Sequence, residues 1–269
     1  MQQPIAILDS GVGGLTVAKE VMRQLPHEKM VYFGDTARTP YGSRTSDEVV
    51  RFTREIVDYL IQFTPKMIVI ACNTATAAAL EDIRSRVAIP VVGVINPGAR
   101  AAIGKTMTGC VGVIGTEGTI KSGAYDQALR ELSPHVQIVS KACPGFVPLV
   151  EKGNFRSLET YETVRKSIGH LRSYPIDTLI LGCTHYPFLT ETISEVMGRN
   201  VNLISSADET AREISTILRL KGDLGLGEQM PVHQFFCSGE QHIFKSIAEL
   251  WLGKQIELTP VVWRVPDIR

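Results

Sequence analysis

Two of the five cysteines share a setting that the other three lack. Ile70-Ala71-Cys72-Asn73-Thr74 and Leu181-Gly182-Cys183-Thr184-His185 both close an apolar run and lead through polar residues into helix-forming sequence. A single free cysteine reads as a small buried hydrophobe, and Cys110, Cys143 and Cys237 keep that reading. Cys72 and Cys183 depart from it because they recur at one point of a repeated unit. Backbone N–H groups at a helix start favour a thiolate. Two matched thiols facing one carbon from opposite sides suit stereoinversion. The thiolate removes a proton, the thiol returns one to the other face, and the pair runs in both directions. A redox pair needs its sulfurs in contact, which a ligand-sized gap forbids. An ordinary thiol titrates at about 8.5, so a cysteine base needs assistance near neutral pH.

The remaining candidates lie just beyond apolar strands, where parallel α/β sheets bind ligands. The first half offers Asp9, Ser10, Gly11, the Pro40-Tyr41-Gly42 turn and Cys72-Asn73-Thr74; the second offers Thr116, Thr119 and Cys183-Thr184-His185. These small hydroxyls, amides and thiols suit a small polar ligand with carboxylates. Asp9 and His185 are placed to assist the cysteines. Asp9 serves equally as a helix N-cap, and His185 as a surface or capping residue. Glu151 either reaches the cleft or stays a solvated loop carboxylate. Ser10, Asn73, Thr74 and Thr184 can donate to a carboxylate on which charge builds as the proton leaves. Tyr41-Gly42 either adds a backbone donor or forms a plain turn.

The elements that position these groups alternate as strand, turn and helix. Apolar runs at Ile5 to Leu8, Val31 to Phe33, Met67 to Ala71 and Val91 to Val94 predict strands, with helices over Leu15 to Leu25 and from a Thr45/Glu48 capping box. Val111 to Ile114, Thr178 to Leu181 and Val201 to Ile204 repeat that plan. Helices are expected over Ala75 to Val87 and Pro187 to Met197 after the two cysteines. The expected fold is α/β: two similar doubly wound parallel-sheet lobes related by a pseudo-twofold, with the site in the cleft between them. The chain crosses near Asn96-Pro97-Gly98 and again near Ser205 to Asp208. Residues 1–96 with 208–269 make one expected lobe and 97–207 the other. The tail from Lys221 contains a glycine-rich loop, a strand near Gln234-Phe235-Phe236 and a helix to Leu252.

Composition narrows the function classes. Twenty-eight basic residues balance twenty-eight acidic ones in 269 residues, so no basic footprint for nucleic acid or an anionic membrane is present. No apolar run has the length of a bilayer span. Met1 to Pro4 leads straight into the first strand without the pattern of a signal peptide, which points to the cytoplasm. The cysteines lack metal-finger spacing. Gly11-Val12-Gly13-Gly14-Leu15-Thr16, followed by Asp35 after the next strand, resembles a dinucleotide fingerprint. Thr16 stands at its third glycine, and Asp9 would repel a pyrophosphate. Gly115 to Ser122 carries Ile120 where a phosphate loop needs glycine.

Taken together, Asp9-Ser10-Gly11-Val12-Gly13-Gly14, Pro40-Tyr41-Gly42, Cys72-Asn73-Thr74-Ala75 and Gly182-Cys183-Thr184-His185-Tyr186-Pro187 closely resemble the bacterial glutamate racemases, along nearly the whole chain. The resemblance implies a racemase that uses no pyridoxal phosphate, other cofactor or metal and interconverts L- and D-glutamate for peptidoglycan synthesis. It implies Cys72 and Cys183 as the acid/base pair, with Asp9, His185 and Glu151 in support. It implies Asp9, Ser10, Tyr41, Gly42, Asn73, Thr74, Thr184 and His185 as the substrate-binding set. It also implies a homodimer. A racemase for aspartate or another amino acid, and a two-lobed amino-acid binding protein without turnover, are the alternative readings.

Overall fold

A computed structural model of the chain describes residues 3–225 and 230–263. The strands are β1 (Ile5–Asp9), β2 (Met30–Gly34), β3 (Met67–Ile70), β4 (Val91–Gly93), β5 (Cys110–Gly115), β6 (Gln137–Ala142), β7 (Thr178–Gly182), β8 (Asn202–Ile204), β9 (Gln234–Cys237) and β10 (Leu258–Pro260). The helices are α1 (Leu15–Gln24), α2 (Ser46–Leu60), α3 (Asn73–Arg86), α4 (Ile95–Ile103), α5 (Glu117–Ser122), α6 (Ala124–Leu132), α7 (Phe146–Glu151), α8 (Leu158–Ile168), α9 (Thr190–Met197), α10 (Ser206–Lys221) and α11 (Gln241–Leu252).

These elements build two parallel sheets. The first runs β10-β9-β2-β1-β3-β4 and the second β6-β5-β7-β8. The orders β2-β1-β3-β4 and β6-β5-β7-β8 are one topology used twice, which makes β3 and β7 equivalent strands. Their continuous apolar sequences follow from burial on both faces. Cys183 directly follows β7, and Cys72 follows β3 after Ala71. β9 pairs with β2, so the tail from Gln234 extends the first sheet. The glycine-rich loop expected after Lys221 lies partly outside the described residues.

Local chemistry explains several helix starts. Thr45 caps α2 with a full capping box: its hydroxyl accepts from the Glu48 amide at 3.3 Å while the Glu48 carboxylate accepts from the Thr45 amide at 3.0 Å. From that start, Val49, Phe52, Ile56, Val57 and Leu60 face the core. α3 begins at Asn73, two residues earlier than its alanine run suggests, because Cys72 itself is the N-cap: its sulfur accepts from the Ala75 amide at 3.5 Å. The expected helix from Pro187 splits into a 3-10 turn, Tyr186–Leu189, and α9.

The crossing at Asn96-Pro97-Gly98 is not a loop. All three residues lie in α4, where Pro97 occupies the first turn and its missing N–H costs no helical bond. A side chain at Gly98 would fall 3.1 Å from the Tyr125 hydroxyl and 3.2 Å from Ser206 Cβ. The glycine thus admits close helix packing rather than a hinge turn. The return crossing is α10, which packs on both α4 and α1. Two packed helices therefore carry the chain between the sheets.

Candidate active site

Asp9 stands at the centre of the seam between the lobes. It ends β1, is fully buried, and accepts from the Gly11 amide at 2.9 Å and from the Thr184 hydroxyl of the second lobe at 3.1 Å. It caps no helix; α1 begins at Leu15, and its N-cap, Gly14, has no side-chain cap. Burial raises the Asp9 carboxyl above the ordinary carboxylate range, against the opposing pull of the His185 charge, the Gly11 and Gly14 amides and the Thr184 hydroxyl.

Each cysteine has its own polar surroundings. Cys72 is buried, takes hydrogen bonds from Ala75 N–H and Ser10, and lies within electrostatic reach of Asp9 and Cys183. Burial, with the Asp9 charge second, pushes the Cys72 thiol up to about 12, so near neutral pH it holds its proton. Cys183 lies 3.8 Å from His185 Nδ1. The other imidazole nitrogen, Nε2, donates to Glu151 Oε1 at 2.5 Å from the end of α7. Burial works against the imidazolium, but the hydrogen bonds and charges of Cys183 and Glu151 outweigh it and hold the His185 pKa well above 6.5. All five cysteines are free.

The glycines of the opening motif are explained by this crowding. A Cβ at Gly13 would lie 2.3 Å from Thr184 Oγ1 and 2.5 Å from His185 Nδ1. One at Gly11 would lie 2.4 Å from Glu151 Oε1, and one at Gly14 would lie 2.5 Å from Asp9 Cβ. The glycine turn exists so that the second lobe can press His185 and Glu151 against it, not to cradle a pyrophosphate. The Asp35 carboxylate, needed by a ribose in the dinucleotide reading, is already saturated. It accepts from Arg38 Nε at 2.6 Å, from the Tyr41 hydroxyl, from Ser238 at 2.7 Å and from Trp263 Nε1 at 2.8 Å.

That Asp35 cluster fixes the turn carrying Tyr41 and Gly42. The Tyr41 ring is buried against Phe52 in the first lobe, which leaves the turn's backbone to meet the second lobe. A Cβ at Gly42 would lie 2.4 Å from Thr116 Cβ. Beside it, Thr74 Oγ1 lies 2.9 Å from Thr116 Oγ1 and 3.2 Å from Thr119 Oγ1, forming a hydroxyl cluster shared by both lobes. Asn73 accepts from the Tyr125 hydroxyl of the second lobe at 2.7 Å.

Of the residues expected from the sequence, Asp9, Gly42, Asn73, Thr74, Glu151, Thr184 and His185 meet across this seam, Ser10 joins Cys72 beside it, and the Tyr41 ring lies within the first lobe. Tyr32 and Tyr125 were not among them. Tyr32 donates to the Gly11 carbonyl at 2.8 Å, and Tyr125 contacts Asn73. Each sits in an apolar-patterned element, where the sequence signals only core. Among the described residues, no three His, Cys, Asp or Glu side chains are arranged to hold a metal ion. No helix among them is long and apolar enough to cross a membrane.

Known proteins resemble this chain in sequence and fold. The Asp/Glu/hydantoin racemase pattern matches residues 15–214. The chain is 54% identical over 257 residues to a glutamate racemase of Bacillus cereus, covering 96% of each protein. The crystal structure of a glutamate racemase isoform from Bacillus anthracis superposes with a TM-score of 0.93 at 49% identity, over 96% of this chain and 97% of that one. A Francisella tularensis glutamate racemase, solved with D-glutamate, superposes at 0.90 with 31% identity over 99% of both chains. By this match of sequence and fold along nearly its whole length, the chain belongs to the Asp/Glu/hydantoin racemase family.

Proposed function

We propose that the chain is a glutamate racemase that inverts the α-carbon with Cys72 and Cys183 as its two acid/base groups. One observation carries this reading. Two buried thiols stand at equivalent strand ends of a repeated sheet, within electrostatic reach of each other, each with a separate polar helper. The glutamate racemases among its relatives support glutamate as the substrate.

In the proposed reaction one thiolate takes the α-proton. The electron pair left on carbon spreads into the α-carboxylate, and the opposing thiol delivers its proton to the other face. The protonation states of the two sulfurs are then exchanged, and the reverse reaction starts from that state. Cys72 enters as a thiol, so turnover from its side needs a proton acceptor. The Asp9 carboxyl, raised by burial, is matched to that task. The substrate ammonium, brought into a dry site, adds a charge that favours the thiolate. On the other side, the His185 imidazolium stabilises the Cys183 thiolate, and Glu151 holds the ring in place. Ser10, Asn73, Thr74 and Thr184, with the Tyr41-Gly42 backbone, supply donors for carboxylate oxygens as charge develops.

Residues 1–96 with 208–269 and residues 97–207 are the two working lobes of this scheme. Family likeness supports a homodimer in the cytoplasm and a D-glutamate product destined for peptidoglycan. The test is incubation of the purified protein with L-glutamate in D2O, following optical rotation and α-deuterium together. Loss of rotation with deuterium in the product supports the proposal. No change with glutamate, but turnover of aspartate, would replace the substrate and keep the chemistry. No change with any amino acid would leave a binding protein.

A further inference from the structure

Asn73 carries an unfinished hydrogen-bond set. It is the first residue of α3, directly after Cys72, and is 2% exposed. Its carboxamide oxygen accepts from Tyr125, but among the described residues its buried Nδ2 has no hydrogen-bond partner. A buried donor without a partner costs about 1–3 kcal/mol, so such a group marks a place that a ligand completes. The two ends of a carboxamide point in different directions, and fixing the oxygen fixes the N–H bonds.

Tyr125 is itself held rigidly. It lies on α6 of the second lobe and is 2% exposed. A Cβ at Gly182 would lie 3.0 Å from its ring, so that glycine lets the ring pack beneath the residue preceding Cys183. Ser206 and Gly98, on the two crossing helices, flank its hydroxyl, and Ser206 supports the phenol oxygen as an acceptor. Burial, and secondarily the charge of Cys183, push its ionisation well above the ordinary phenol range. The hydroxyl therefore remains a donor at any working pH.

We infer that Tyr125 is a positioning residue, which holds the Asn73 oxygen so that the amide N–H bonds face the cleft and receive a carboxylate oxygen of the substrate. The assignment rests on the amino-acid substrate proposed above. Rotated by half a turn, the amide would present an oxygen to a carboxylate and repel it. The bond spans the two lobes, so the donor is correctly aimed only when they are together.

The experiment is a double-mutant cycle with Tyr125→Phe and Asn73→Ala. It is read by calorimetric binding of L- and D-glutamate and by steady-state racemisation. Tyr125→Phe keeps the ring and removes only the hydroxyl. In the native background it is expected to weaken binding and raise KM about tenfold, equivalent to about 1.4 kcal/mol, with kcat changed far less. In the Asn73→Ala background it is expected to change neither. Asn73→Asp, which still accepts from Tyr125 but has no N–H, is expected to bind glutamate more weakly than Asn73→Ala. Equal effects of Tyr125→Phe in both backgrounds, or none in the native one, overturn the assignment. If the native protein binds glutamate without inverting it, the racemase reading fails while the binding cycle still decides the role of Tyr125. If it binds neither enantiomer, both are overturned.

Discussion

Adding one methyl group at Gly13 tests whether the lobes meet as tightly as the site requires. In Gly13→Ala the new Cβ would sit 2.3 Å from Thr184 Oγ1 and 2.5 Å from His185 Nδ1. Ordinary contact is about 3.5 Å, so either the glycine turn or the 184–185 segment must retreat by about 1 Å. Neither gives easily. Thr184 is tied to Asp9 at 3.1 Å and His185 to Glu151 at 2.5 Å, with Asp9, Thr184 and His185 buried. Overpacking of this kind costs about 1–3 kcal/mol. For a chain of this size that lowers Tm by roughly 2–10 °C. The activity loss should be larger, because a displacement of about 1 Å in a reacting constellation costs about 100-fold. Gly104→Ala is the control. It adds the same methyl group at a site whose nearest neighbour, the Arg100 carbonyl, is 3.4 Å away. Racemisation followed by circular dichroism, with thermal melts of both variants, decides the matter. A Gly13→Ala enzyme with native kcat/KM would refute the close inter-lobe packing on which the mechanism depends.

Other outcomes follow from the same groups. Asp9→Asn should cut kcat by about 100-fold or more, the usual worth of a general acid or base. It should also be at least as stable as the native protein at neutral pH. The raised Asp9 carboxyl keeps its proton longer when folded, so stability falls as pH rises from 3.8 to the folded value, and the substitution removes that cost. His185 has the opposite consequence: its stabilisation is complete below about pH 6.5 and is lost as pH rises through the higher folded value. Glu151→Gln removes a charge that holds the proton, so the alkaline loss of stability should begin at lower pH in melts across a pH series. Lys66→Ala strands the buried Glu28 carboxylate, which is now 2.6 Å from Lys66 Nζ and 2.6 Å from the Gly225 amide. Loss of one partner of a buried pair costs about 3–5 kcal/mol, measurable by urea unfolding without assaying activity.

The fold of this protein was legible in sequence where it followed a repeated pattern. β3 and β7 are apolar runs of similar length, and Cys72 and Cys183 follow them in the same register, so the repeated topology is readable from the sequence. The helix starts were less clear. Cys72 is a poor sequence signal for an N-cap, which hid the placement of Asn73 in the first turn of α3. Pro97 and Gly98 look like a linker, yet both sit inside α4, because an early proline is tolerated there and the glycine admits Tyr125. The tyrosines escaped notice for a different reason. Tyr32 and Tyr125 bury their rings as core residues do, and only the hydroxyl position shows that each also organises the seam. Asp35 matched a nucleotide motif by spacing, and only its four three-dimensional partners reveal that it braces the Tyr41 turn.

The most direct test of the two-thiol scheme is α-proton exchange in D2O with Cys72→Ser and Cys183→Ser, using each glutamate enantiomer separately. The scheme predicts that the native enzyme converts either enantiomer to product carrying α-deuterium and that neither variant racemises. Any exchange left in a variant should be confined to the enantiomer facing its remaining thiol, with opposite preferences in the two variants. Racemisation by either serine variant near the native rate, or residual exchange of the same enantiomer in both, would contradict it.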